Sequence, residues 1–149
     1  MATLDAWELV TIGYEGRSAE SLIQALVREE VGLVADVRLT PLSRKPGLSK
    51  NSLMAGLAAA GIKYEHLPAL GNPRENREAF RAGESSSRDR FQSLMGERVA
   101  GLALSRLEEL LHRFPVALLC FERDAHACHR QLVSDELVRR HPSLNVGHA

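Results

Sequence analysis

The chain has 149 residues, with 19 lysines and arginines against 19 aspartates and glutamates, 44% hydrophobic and 5% aromatic residues, which is the make-up of one soluble globular domain. At that length roughly 70% of the unfolded surface can be buried, so a core needs no disulfides, metals or obligatory association. Zero net charge excludes a strongly basic nucleic-acid binder, and no apolar run approaches the ~20 residues that span a bilayer, so no membrane partner is expected.

In chain order, Met1 to Val10 carries Asp5 and Glu8 and no basic residue, unlike a secretory leader. A cytoplasmic location with Cys120 and Cys128 as free thiols follows as an expectation. Leu9-Val10-Thr11-Ile12, stopped by Gly13, predicts a buried strand. Ser18 can cap a helix with Ala19, Leu22, Ile23, Leu26 and Val27 on one face. Leu33-Val34-Ala35, ending at Asp36-Val37, predicts a second strand. Ser49 can cap a helix through Leu53, Leu57 and Ala60 up to Gly61, and Ile62 to His66 alternates as a weaker strand. Residues 71–90 are polar and weak in apolar period, and read as a mobile loop or lid. A long helix is predicted from about Phe91 to Arg113, with Met95, Val99, Leu102, Leu107, Leu110 and Leu111 inward, closed by Phe114-Pro115. Val116-Ala117-Leu118-Leu119, ending at Cys120, is another buried strand. The final helix starts near Asp124, turns Leu132, Val133, Leu137 and Val138 inward, and stops before Pro142, leaving Leu144-Asn145-Val146 as a short last strand.

Strands alternating with helices make right-handed βαβ units. The expected fold class is therefore α/β, three-layer, a mostly parallel sheet with helices on both faces, Rossmann-like but not of the dinucleotide-binding type, in a single domain over 1–149.

The balanced charge hides a local imbalance. Residues 1–36 hold seven acids and two bases, whereas 37–64 hold Arg38, Arg44, Lys45, Lys50 and Lys63 and no acid. Such a run is commonly a solvated face. Its place after a strand matters, because ligands of open parallel sheets bind at the carboxyl ends of the strands. Those ends here collect Tyr14 and Glu15; Asp36, Arg38 and Arg44; His66; and Cys120, Glu122, Cys128, His129 and Arg130.

Arg38, Arg44 and Arg130 offer planar forks for phosphate or carboxylate, although Arg38 can equally clasp Asp36 or Glu15. Cys128, beside His129 and Arg130 near a helix start, is placed for a lowered thiol pKa and nucleophilic work. Cys120, at a strand end, fits an inert core thiol as well as a nucleophile. Glu122 can act as a general base, orient His129, or simply pair with Arg130. His66 can close a strand or line the site. Cys120, Cys128 and His129 are three candidate metal ligands without the usual short paired spacing, so no metal is expected. Gly13-x-x-Gly16 lacks the full dinucleotide fingerprint and no Gly-Lys-Ser/Thr loop exists, so no cofactor is expected.

These residues also form a familiar order. Thr11-Ile12-Gly13-Tyr14-Glu15-Gly16, Asp36-Val37-Arg38, Pro41 with Ser43-Arg44, Gly47-Leu48-Ser49-Lys50, Gly61-Ile62-Lys63-Tyr64 with His66, Leu70-Gly71-Asn72-Pro73, and Cys120-Phe121-Glu122 with Cys128-His129-Arg130 together resemble the domain of unknown function 488 family. Leu48 stands where the family usually has Phe, and Asp124-Ala125 where it often has Asp-Pro. The resemblance implies a compact bacterial or archaeal cytoplasmic α/β domain with its signature residues at the strand ends. It implies no particular reaction.

Three functions fit the pattern. The first is a small enzyme, a Cys-dependent hydrolase or transferase, on a phosphate-bearing or otherwise anionic substrate such as a nucleotide or nucleic-acid component. In it Arg38, Arg44 and Arg130 hold the anion, Cys128 or Cys120 is the nucleophile, and His129 with Glu122 manages protons. The second is a non-catalytic nucleic-acid-binding module using the cationic 37–64 segment. The third is a thiol redox or sensor protein cycling Cys120 and Cys128, which requires the two thiols to lie together.

Overall fold

The computed structural model describes residues 8–149; the first seven, on which the leader argument partly rests, lie outside them. Strands β1 (Glu8–Gly13), β2 (Leu33–Asp36), β3 (Lys63–His66), β4 (Val116–Cys120) and β5 (Asn145–His148) make a sheet in the order β3-β2-β4-β1-β5. All the pairings are parallel. The continuous apolar runs of β2 and β4 are buried along their whole length, as strands covered on both faces must be.

Helices α1 (Ala19–Arg28) and α2 (Lys50–Ala59) cover one face. There Leu22, Leu26, Leu53 and Leu57 meet Ile12, Val34, Ala117 and Leu119. Helices α3 (Arg74–Arg81), α4 (Ser85–Met95), α5 (Arg98–Leu111) and α6 (Arg130–Arg140) cover the other, where Phe80, Phe91, Leu104, Leu107, Val133 and Leu137 meet Leu9, Leu33, Ala35, Val116 and Leu118. The three-layer α/β architecture expected from the sequence is the one present. Ser18 caps α1 through a reciprocal box with Ser21. Ser49 does not cap α2; its Oγ bonds the backbone of Ser43 and ties down the loop after β2.

Three local expectations are corrected. Residues 71–90 are not a loop: they hold α3 and the first half of α4. Few apolar residues are present, but Phe80 and Phe91 are large, fully buried and packed edge to face. The buried Asn76 amide meanwhile donates to Asn72 Oδ1 and the Ser87 carbonyl, so the polar composition is satisfied internally. The helix expected over 91–113 breaks at Gly96-Glu97, which end α4 and begin α5. The break resets the helical phase. Ala100, Ala103 and Leu104 turn inward with Leu107, Leu110 and Leu111, leaving Val99 and Leu102 exposed at 59% and 61%. Finally, Asp124 caps only a 3-10 turn, Ala125–Ala127, and the helix proper begins at Arg130. Cys128 and His129 therefore precede α6. Leu132 and Val138 are partly buried beside the fully buried Val133 and Leu137.

Candidate functional site at the carboxyl edge of the sheet

Successive residues of a strand point to opposite faces, and this alternation sorts the chemistry at the carboxyl edge. Leu33, Ala35 and Val37 share the α5–α6 face with Val116, Leu118 and Cys120. Asp36 is sent the other way, toward Tyr64 and the loop that carries Leu48.

On the Asp36 side the groups are consumed by one another. Arg38 Nε and Nη2 grip the Asp36 carboxylate, the latter at 2.7 Å, and Nη1 donates to the Leu48 carbonyl. The pair is 5% and 0% exposed. Tyr64 adds a hydroxyl bond to Asp36 at 2.5 Å, and His66 bonds the Arg38 carbonyl at 2.7 Å. Burial works against charge on Arg38, but Asp36 outweighs it and raises the guanidinium above its ordinary value. Burial first, and the neighbouring Asp36 second, push the Tyr64 phenol well above its usual range. Of the two roles open to Arg38, the clasp with Asp36 is present.

On the Cys120 side the groups converge without being consumed. His129 Nε2 lies 2.8 Å from the Val37 carbonyl; in the neutral ring that nitrogen carries the proton and Nδ1 keeps its lone pair. Nδ1 lies 3.6 Å from Cys120 Sγ and 3.6 Å from Cys128 Sγ, and Cys120 Sγ lies 3.5 Å from Glu122 Oε2. Phe91 of α4 packs edge-on against the imidazole. Burial pushes the Cys128 thiol well above its usual value, contact with Cys120 adds to the rise, and His129 opposes it. This corrects the expectation of a lowered pKa at Cys128: burial outweighs the imidazole beside it and the helix start two residues on. Burial works against a charged His129, while Cys128 and the Val37 carbonyl raise its pKa.

Between the two sides opens a cavity of about 240 Å³ lined by Tyr14, Arg38, Cys120, Glu122, Cys128 and His129, among others. Six of the residues singled out in the sequence thus meet around one space. Asp36 lies behind Arg38 as its clasp. Arg44 is exposed and Arg130 fully buried, and neither lines the cavity. Arg130 instead bonds the carbonyls of Glu122 and Arg123, holding the loop after β4. Glu15 holds that loop from the other side through the Arg123 N–H. Gly13 lets it approach: a Cβ there would stand 1.8 Å from the Glu122 carbonyl oxygen.

Sequence reasoning missed Arg77 and Arg81, which line the cavity from α3. Arg77 Nε donates to the Asn72 carbonyl, and Arg81, 51% exposed, stands 3.8 Å from Glu122. Their signal is a spacing of four residues, one helical face, hidden by reading 71–90 as a loop. The rim also carries Leu39, Leu42 and Phe121.

Fold and site together define a three-layer α/β protein with a thiol–imidazole–carboxylate floor at its strand ends. The chain belongs to the family described as domain of unknown function DUF488, whose model matches residues 18–137. No curated protein and no solved structure matches it. Among the described residues, no helix is long and apolar enough to cross a membrane.

Proposed function

We propose that this protein is a small enzyme that binds a compact anionic or phosphate-bearing substrate in the cavity at the carboxyl ends of β2 and β4. The observation that carries this reading is the pairing of a cationic rim, Arg77 and Arg81 beside the Arg38 wall, with a floor where Cys120 Sγ lies 3.5 Å from Glu122 and 3.6 Å from His129. Arginine forks suit phosphate and carboxylate. The floor suits hydrolysis or group transfer: Cys120 and Cys128 are electron-pair donors, and the free Nδ1 of His129 and the Glu122 carboxylate can each accept a proton. Cys120, at the strand end between Glu122 and His129, is the better placed of the two thiols to meet substrate. A cavity of this size favours a small metabolite or mononucleotide over a polymer strand.

Nucleic-acid binding through the cationic segment has less support. Arg38 is spent on Asp36, and Lys45 Nζ is turned onto the carbonyls of Tyr14 and Arg17.

The test is amide and side-chain NMR with inorganic phosphate and then mononucleotides as probes. Shifts are expected at Arg77, Arg81, Phe121 and Glu122 and are lost in the Arg77→Ala/Arg81→Ala variant. Shifts centred on Arg44, Lys50 and Lys63, with steep salt dependence, would transfer the function to nucleic-acid binding.

A further inference from the structure

We propose that Cys120, Cys128 and His129 form a binding site for a thiophilic divalent cation of the zinc class, with its open coordination position facing the cavity.

The donor geometry comes first. The two sulfurs and Nδ1 all lie within 4.8 Å of one another. A tetrahedral ion with metal–sulfur bonds of about 2.3 Å and a metal–nitrogen bond of about 2.0–2.1 Å sets sulfur and nitrogen about 3.6 Å apart. Both Sγ–Nδ1 separations are 3.6 Å. A hydrogen bond also spans that distance, so the distances alone do not decide.

The chemistry of the donor set adds to them. Without an ion, Cys128 can donate to Nδ1 and Cys120 to Glu122 Oε2, yet two sulfurs and a ring nitrogen remain gathered within 4.8 Å. One cation takes the lone pair and both sulfurs together. The far side of the ring has the support characteristic of a ligating histidine, with Nε2 held by the Val37 carbonyl at 2.8 Å. All three donors are buried yet line the cavity, so a bound ion would have protein on three sides and an approach from the fourth. That is the pattern of a catalytic rather than a closed structural site. Two thiolates with an imidazole favour zinc over magnesium or calcium.

The proton balance is simple. Binding breaks two S–H bonds, forms two metal–sulfur bonds and releases two protons, while His129 contributes the lone pair it already has. Glu122, 3.5 Å from Cys120 and lining the same cavity, would be the carboxylate available to accept a proton from a water polarised by the ion. The proposal keeps the substrate cavity of the enzyme reading above, on which the purpose of the ion rests, but recasts Cys120, Cys128 and His129 from nucleophile and base to ligands; the occurrence of the ion does not depend on that reading.

The experiment is titration of the reduced full chain with cobalt(II), followed by zinc. One equivalent of cobalt is expected to give thiolate charge-transfer and tetrahedral ligand-field bands, zinc to bleach them, and about two protons to be released per zinc in weak buffer. Cys120→Ser and Cys128→Ser should each weaken cobalt binding by more than the ~10–100-fold that loss of a supporting group costs. Should either serine variant fail to fold, iodoacetamide kinetics on the wild type supply the same answer, zinc protecting both thiols together. Absence of sulfur bands with no protection of the thiols overturns the site, as does cobalt binding that survives both serine variants. The Arg77→Ala/Arg81→Ala variant separates this from the enzyme reading, since it should keep the cobalt bands while losing phosphate. Bands without any phosphate binding by the wild type sink the anion cavity alone; phosphate binding without bands sinks the cation site alone.

Discussion

Two clusters on opposite sides of one cavity at the same sheet edge use similar residues to opposite ends. Around Asp36, charges and hydroxyls are matched: the carboxylate receives Arg38 and Tyr64, and the remaining Arg38 arm finds a carbonyl. Around His129, two thiols face one lone pair, and Cys120 alone has a second acceptor, Glu122. A buried ion pair with its partners present holds the backbone in register, and removing one member leaves a stranded charge. A converging set with unspent capacity has room for something else. The difference teaches that motif residues at a strand end separate into scaffold and site by how their hydrogen-bonding capacity is used.

The largest effect that would break this contrast is expected at Asp36. Asp36→Ala strands the Arg38 guanidinium and should cost about 3–5 kcal/mol in urea unfolding, whereas Cys120→Ser in the metal-free chain, whose hydroxyl can take the thiol's place against Glu122 or His129, should cost about 1–2 kcal/mol. Equal losses would erase the distinction. Tyr64→Phe removes a hydroxyl bond to a carboxylate and is expected to cost about 1.5–3 kcal/mol, with no change in cobalt affinity. Gly13→Ala forces the loop after β4 away from β1 and should cost about 1–3 kcal/mol, accompanied by amide shifts at Glu122 and Arg123; unshifted amides would mean that the loop is not seated on Gly13.

The smallest effect is a pH dependence. The Cys128 thiol is raised in the folded chain, so above the unfolded thiol value of about 8.5 the unfolded state loses its proton while the folded state keeps it. The contribution is complete below that value and fades as pH rises, by at most about 1.4 kcal/mol per pH unit for one group. Urea midpoints of chelator-treated protein at pH 7.5 and 9.5 should therefore fall, and Cys128→Ser should flatten the fall. Tyr64, raised for a like reason, adds its own loss only above about pH 10. A wild-type slope unchanged in Cys128→Ser would place the alkaline weakness in the Asp36 cluster instead.

Much of this was legible in the residues. Mostly apolar runs of three to five ending in Gly13, Asp36 and Cys120 announce parallel strands, because only strands covered on both faces tolerate such continuity. The rule that ligands gather at the carboxyl ends then selects the right neighbourhood. Less legible was residues 71–90. Its helices are held by two buried phenylalanines and an asparagine network rather than by an apolar stripe, and periodicity arguments see only stripes.

By itself, then, the sequence determined the layer order, the edge at which chemistry collects and the roster of groups gathered there, since local pattern and strand direction suffice for those. Tertiary structure alone decided that Arg38 belongs to Asp36 and Arg130 to the backbone, that Arg77 and Arg81 face the cavity, and that Cys120 and Cys128 share one imidazole. The physical reason is that a side chain's role depends on which partners take up its donors and lone pairs. For residues as far apart in the chain as Val37 and His129, those partners are chosen only when the strands pack.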